Sequence, residues 1–220
     1  MTSVVYIADR GIPFFQTSRL SADVVCAGDS ITGWNNFGVV RDWPYRTYPE
    51  VLQRLCESLG LRIVNGGIAG EVSPNGVGQV RDYLGLFPNA RYFVVGYGTN
   101  DLGMWPEVER TSPWIIENLT QMVRSIRDDG RKPILLNVPY ANESLFPRSV
   151  AEDLHGKRDY HNDKLRGYCQ EHQIPLVDIA SKLRDEHFAD ELHPNDEGAQ
   201  VIAKEVFSVL SEVRKTEVLG

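Results

Sequence analysis

Two short stretches of this chain hold side chains that could do chemistry together. Gly28-Asp29-Ser30 offers a serine hydroxyl, and Asp190-Glu191-Leu192-His193 offers a carboxylate three residues before an imidazole. A serine hydroxyl is a poor nucleophile until a base takes its proton. A histidine can take that proton near neutral pH, and a carboxylate on its other ring nitrogen holds the imidazole in the required tautomer and orientation. Residues i and i+3 share a face in one helical turn, so Asp190 would hold one nitrogen of His193 and leave the other for Ser30. Such a set would cleave an acyl bond by nucleophilic attack. Each stretch also has a plainer reading. Asp29 or Ser30 would cap a helix, and Asp190 and His193 would be polar loop residues. Of the five histidines, His155, His161 and His172 fall in a polar helical stretch and are expected in solvent, while His187, before Phe188, is expected to be partly buried. His193 is therefore the candidate base.

These side chains need a scaffold, and the hydrophobic pattern predicts one. Short continuous apolar runs at 24–27, 61–64, 91–95, 133–137 and 175–178 read as buried strands. Between and after them, apolar residues at helical spacing predict helices over 48–59, 76–86, 113–129, 149–172 and 195–213. This alternation predicts an α/β domain with a parallel sheet covered on both faces. Residues 1–22 stand before the pattern as an N-terminal extension, in which 4–8 would add an edge strand or wrap the body, and 23–220 form the domain.

In such folds ligands gather beyond the carboxyl ends of the strands. The connections at 28–43, 65–75, 96–112, 138–148 and 179–194 should then face one crevice. All four tryptophans lie in these connections or within two residues of one. They predict an aromatic rim, with Trp34 and Trp105 as candidate substrate contacts, or else caps over the sheet ends. Asn100, in Gly98-Thr99-Asn100-Asp101, follows the third strand, and its side-chain amide could donate to a developing oxyanion or make a simple Asx turn. Gly70 follows the second strand, where the lack of a Cβ would let a backbone N–H approach a substrate oxygen or would simply allow a tight turn.

Composition narrows the function classes. The chain has 220 residues, ample for one core, and a net charge of −7 with no Lys/Arg stripe, which argues against a nucleic-acid partner. No apolar run approaches the roughly 20 residues of a membrane-spanning helix, and no signal-peptide pattern opens the chain. Cys26, Cys56 and Cys169 are far apart, odd in number and without metal-type spacing, so a reduced, cytoplasmic setting and no metal site are expected.

Four blocks occur in order, each after a different predicted strand or before the last helix: Gly28-Asp29-Ser30-Ile31, Gly67-Ile68-Ala69-Gly70, Gly98-Thr99-Asn100-Asp101 and Asp190-Glu191-Leu192-His193-Pro194. With them the chain resembles the SGNH-hydrolase, or GDSL-esterase, superfamily over about residues 23–213. Ile31 stands where the GDSL name has Leu. The resemblance implies a flavodoxin-like, three-layer α/β/α fold with a five-stranded parallel sheet. It implies Ser30 as nucleophile, His193 as base, Asp190 as its orienter, and an oxyanion hole of the Ser30 and Gly70 N–H groups and the Asn100 amide. It further implies a small-molecule ester substrate, with short acyl groups favoured by the modest loops, and no cofactor. Carbohydrate deacetylase, lysophospholipase and thioesterase activities belong to the same resemblance. A ligand-binding or interaction module with an inactive pocket is the rival from another class, although such a module would usually lose Ser30, Asn100 or His193.

Overall fold

The apolar runs pair side by side in one parallel sheet. The computed structural model describes residues 5–6, 21–34 and 43–219. Five strands follow the expected alternation: β2 (Val24–Gly28), β3 (Ile63–Gly67), β4 (Tyr92–Gly96), β5 (Lys132–Leu136) and β6 (Leu176–Val177). A two-residue edge strand, β1 (Val5–Tyr6), pairs with β3 inside the stretch where an edge strand was one of two expectations. The remainder of that stretch lies outside the described residues. The order is β1-β3-β2-β4-β5-β6, with every pairing parallel. The chain leaves β2 toward one edge and later crosses to the other, so the topological switch falls beside β2.

Successive strand residues point to opposite faces, and each face buries its own core. Val25, Ala27, Phe93, Val95 and Leu135 pack with α3 (Ser73–Leu86), α5 (Val108–Asp128) and α6 (Arg148–Glu171). Val24, Cys26, Tyr92, Val94 and Ile134 pack with α2 (Tyr48–Cys56) and α7 (Asp196–Leu219). This is the expected three-layer α/β/α arrangement. The short helices α1 (Ser30–Gly33) and α4 (Thr99–Met104) sit at the carboxyl ends of β2 and β4. Cys26, Cys56 and Cys169 are all free and buried.

The register sets the geometry of that edge. Gly28 stands opposite Gly67 on β3 and opposite Gly96 on β4, so the three central strands end level. Gly67 tolerates no side chain: a Cβ there would lie 2.4 Å from the Gly33 backbone nitrogen. The end of β3 and the α1 turn therefore touch backbone to backbone.

Several boundaries differ from the sequence pattern. β3 runs on through Gly66-Gly67, which read as loop, because Asn65 to Gly67 pair with Cys26 to Gly28 and Tyr83 Oη donates to the Gly66 carbonyl at 2.7 Å. α4 is a short helix inside the 96–112 connection, which the sequence pattern presents as loop. α5 begins at Val108, five residues before Pro113. Pro113 lacks the N–H that would reach the Glu109 carbonyl, and both residues are exposed, so water can take the freed acceptor. His161 is the largest departure. It is fully buried on α6 rather than in solvent, with Nδ1 3.0 Å from Ser112 Oγ on α5.

Gly67→Ala should destabilise the protein by about 2 kcal/mol through backbone crowding, read as a lowered urea midpoint; an unchanged midpoint would contradict the close approach. Burial pushes the His161 imidazole down to about 4, whereas an unfolded histidine titrates near 6.5. Between those values the unfolded chain binds the extra proton, so stability falls as pH drops from about 6.5 to about 4. His161→Gln should flatten that part of a urea-unfolding pH series, and an unaltered slope would contradict the burial.

Candidate active site

The level strand ends bring three of the blocks to one rim, and the loop before α7 brings the fourth to Ser30. Ser30 is the first residue of α1, immediately after the β2 turn. The N-cap Asp29 accepts the Ile31 amide at 2.9 Å, and the Thr32 and Gly33 amides both donate to the Asp29 carbonyl. The plainer reading of Asp29 as a cap is thus correct, and the cap is what fixes Ser30. Asp29 is fully buried, and burial pushes its carboxyl up to about 7, opposed by the Ile31 amide. Buried Asp101 adds to that rise.

Ser30 Oγ lies 3.1 Å from His193 Nε2. On the far side of the ring, His193 Nδ1 lies 2.8 Å and 3.0 Å from the two Asp190 oxygens. The carboxylate can only accept, so Nδ1 carries the proton and Nε2 is left to accept from the serine hydroxyl. The i, i+3 contact is present, but no helical turn makes it. Residues 189–192 form a bend in which Asp190 Oδ1 accepts the Leu192 amide at 2.9 Å and the His193 amide at 2.7 Å. A Phe188–Pro194 bridge and an Ala189 amide to His193 carbonyl bond of 2.8 Å close this loop. Burial alone would raise the Asp190 carboxyl, but the His193 and Leu192 amides and the His193 ring hold it below the usual carboxylate range. Asp190 therefore keeps its negative charge beside the ring at neutral pH.

The loop after β3 approaches from one side. Asn65 on β3 accepts the Gly67 amide at 3.0 Å and donates to Thr47 Oγ1 at 3.1 Å. Gly70 is exposed and has φ +79°, the left-handed region that favours glycine. Nothing stands within 4 Å of where its Cβ would be, so conformation rather than space calls for glycine there. Asn100, on α4, donates to the Glu71 carbonyl at 2.8 Å and so ties the loops after β3 and β4 together. Asp101 does the same from below, accepting the Ser73 hydroxyl at 2.6 Å and the Ser73 amide at 3.0 Å and 3.1 Å. Asn118 on α5 completes the tie with a 3.0 Å bond to Ser73 Oγ.

The tryptophans separate into two groups. Trp34 stacks on the His193 ring, and Trp43 meets both rings edge-on. Together with Arg46, Thr47 and Tyr48 they leave a cleft of only about 10 Å³ beside Ser30. Trp105 does not line that cleft. It packs at 90° against Trp114 with centroids 4.9 Å apart, both residues 37% exposed, next to exposed Met104. A larger cavity of about 520 Å³ lies between Tyr140, His155, Asp159, Asp185 and Phe188. It contains none of Ser30, His193 or Asp190, so the reactive geometry locates the site better than volume does. Among the described residues, no three His, Cys, Asp or Glu side chains gather as ligands for a metal ion. No helix there is long and apolar enough to cross a membrane.

Sequence reasoning missed the polar groups beneath the rim. Arg158 and His161 are buried on the same face of α6. Burial lowers the Arg158 guanidinium to about 10, and the charge of Asp29 opposes that fall. Their signal was their spacing: 158, 161, 162, 165 and 169 continue a helical stripe that ends in Leu165 and Cys169.

Comparison with known proteins agrees with this architecture. A GDSL-like lipolytic protein from Veillonella parvula superposes with a TM-score of 0.67 at 22% identity, covering 86% of this chain and 97% of its own. A GDSL-like lipase from Bacteroides thetaiotaomicron gives 0.66 at 20% identity, covering 86% and 88%. A carbohydrate acetylesterase family member from Sinorhizobium meliloti gives 0.66 at 19% identity, covering 85% and 96%. At these identities the similarity speaks for the fold. No curated protein matches the sequence. The sequence pattern of the GDSL-like lipase/acylhydrolase family matches residues 26–201, which span all four blocks and most of the sheet, and this chain belongs to that family.

Proposed function

We propose that the chain is a serine hydrolase that cleaves carboxylic esters with short acyl groups through an acyl-enzyme. The observation that carries this reading is the unbroken chain of hydrogen-bond contacts from Ser30 Oγ through His193 to Asp190. In the first step Ser30 Oγ bonds to the ester carbonyl carbon while its proton passes to His193 Nε2. Asp190 stays ionised and stabilises the imidazolium that forms. The oxyanion is received by the Ser30 and Gly70 N–H groups and by the Asn100 amide, whose second N–H is not needed for the Glu71 carbonyl. When the carbonyl re-forms, the bond to the alcohol oxygen breaks and His193 returns the proton to that oxygen. Water then gives a proton to His193 and its oxygen bonds to the acyl carbon. Ser30 leaves with that proton, and the acid is released.

Short acyl groups are favoured because the cleft beside Ser30 is narrow, with room for about one water molecule at most. An acetylated carbohydrate is the second reading. It is favoured by the aromatic rings around the cleft and by the name carried by the Sinorhizobium meliloti neighbour.

On p-nitrophenyl acetate, Ser30→Ala and His193→Ala should lose nearly all turnover and keep the circular-dichroism spectrum of the parent. Asn100→Ala should lower kcat by about a hundredfold or more while KM changes less, as expected for a donor used mainly in the transition state. Undiminished turnover in Ser30→Ala would sink the reading.

A further inference from the structure

We infer that Trp34, besides lining the cleft beside Ser30, is a positioning residue for His193, an inference that rests on His193 being the base. The two rings lie face to face, with centroids 3.6 Å apart and planes within 21° of parallel. That geometry leaves one indole face occupied by the imidazole. Trp43 braces the stack, meeting Trp34 at 5.9 Å and 78° and His193 at 5.9 Å and 81°. Tyr45 meets Trp43 in turn at 5.3 Å and 74°. The Trp34 indole N–H has no hydrogen-bond partner among the described residues, so ring contact holds the indole where it is.

The chain places this indole with the nucleophile. Ser30 opens α1 and Trp34 is its C-cap, four residues on, so one helical turn presents both to the same side. Asp190 holds the imidazole only in its own plane, through Nδ1, and leaves it free to tilt out of that plane. A stacked indole blocks the tilt and keeps Nε2 directed at Ser30.

The stack also discriminates between the two states of the base. Tryptophan has the most favourable aromatic face for a cation. When the Ser30 proton reaches His193, the ring becomes an imidazolium against that face. The attraction is stronger for the cation than for the neutral ring that meets the substrate. It therefore acts on the transition state, and its loss should appear in kcat rather than in KM.

The test compares Trp34→Leu, Trp34→Phe and the parent on p-nitrophenyl acetate, with Tm for each. Trp34→Leu should lower kcat about tenfold, leave KM within about twofold, and leave Tm within a few degrees; Trp34→Phe should recover most of kcat. A raised KM with kcat intact would make Trp34 a substrate wall only and overturn the inference. Equal losses of kcat in both variants, with a lowered Tm, would overturn it in favour of general packing. If Trp34→Leu does not fold, Trp34→Met against Trp34→Phe reads the same contrast. Ser30→Ala and His193→Ala separate the two levels of failure. If they keep the parent's turnover, the reading beneath this inference falls and takes it along; if they lose turnover and Trp34→Leu does not, only the inference falls.

Discussion

The site depends on the register of three parallel strands. Gly67, Gly28 and Gly96 end β3, β2 and β4 at one level, so the segments that follow start from a common line. Ser30, Gly70 and Asn100 come two, three and four residues after those glycines. A slip of one residue in either pairing would turn the strand side chains to the opposite faces and break both cores, so the packing of the whole domain enforces this alignment. The missing Cβ of Gly67 then lets the α1 turn settle against the strand end.

A second constraint supplies the imidazole from the other end of the chain. One Asp190 carboxylate accepts two backbone amides and the ring Nδ1. It thereby shapes the loop that carries His193 and sets the tautomer of its ring with the same charge. Beneath the rim lie less usual groups: the buried carboxylates Asp29 and Asp101 and the buried guanidinium of Arg158. Buried charge is costly unless it is compensated. The Ser73 bonds at Asp101 and the capping bond at Asp29 offset part of that cost, and burial still pushes both carboxyls up. These bonds hold the turns that carry Ser30 and Asn100 to the body of the domain.

Most of the scaffold was legible in the sequence, because continuous apolar runs between helical stripes can bury themselves on both faces only as a parallel sheet. The three-layer order and the meeting of Ser30 with His193 at one edge followed from that. What escaped had a tertiary cause. Gly66-Gly67 belongs to β3 because its neighbour strand and Tyr83 pair with it, which no local propensity records. The Asp190–His193 contact arises from an Asx bend closed by the flanking Phe188–Pro194 bridge, although spacing alone favoured a helical turn. His161 looked solvated because its neighbours are polar, yet the α5–α6 contact buries it. The aromatic rim was only half legible: Trp34 reaches the cleft, whereas Trp105 pairs with Trp114 away from it.

The central claim is that Ser30 is a nucleophile activated by His193. A serine-directed fluorophosphonate tests it without any assumption about the substrate. After treatment, intact mass and peptide mapping should show one adduct per chain, located on Ser30, formed rapidly by the parent protein and hardly at all by His193→Ala. Absence of an adduct, or labelling at Ser30 that is equally fast without His193, would contradict the account.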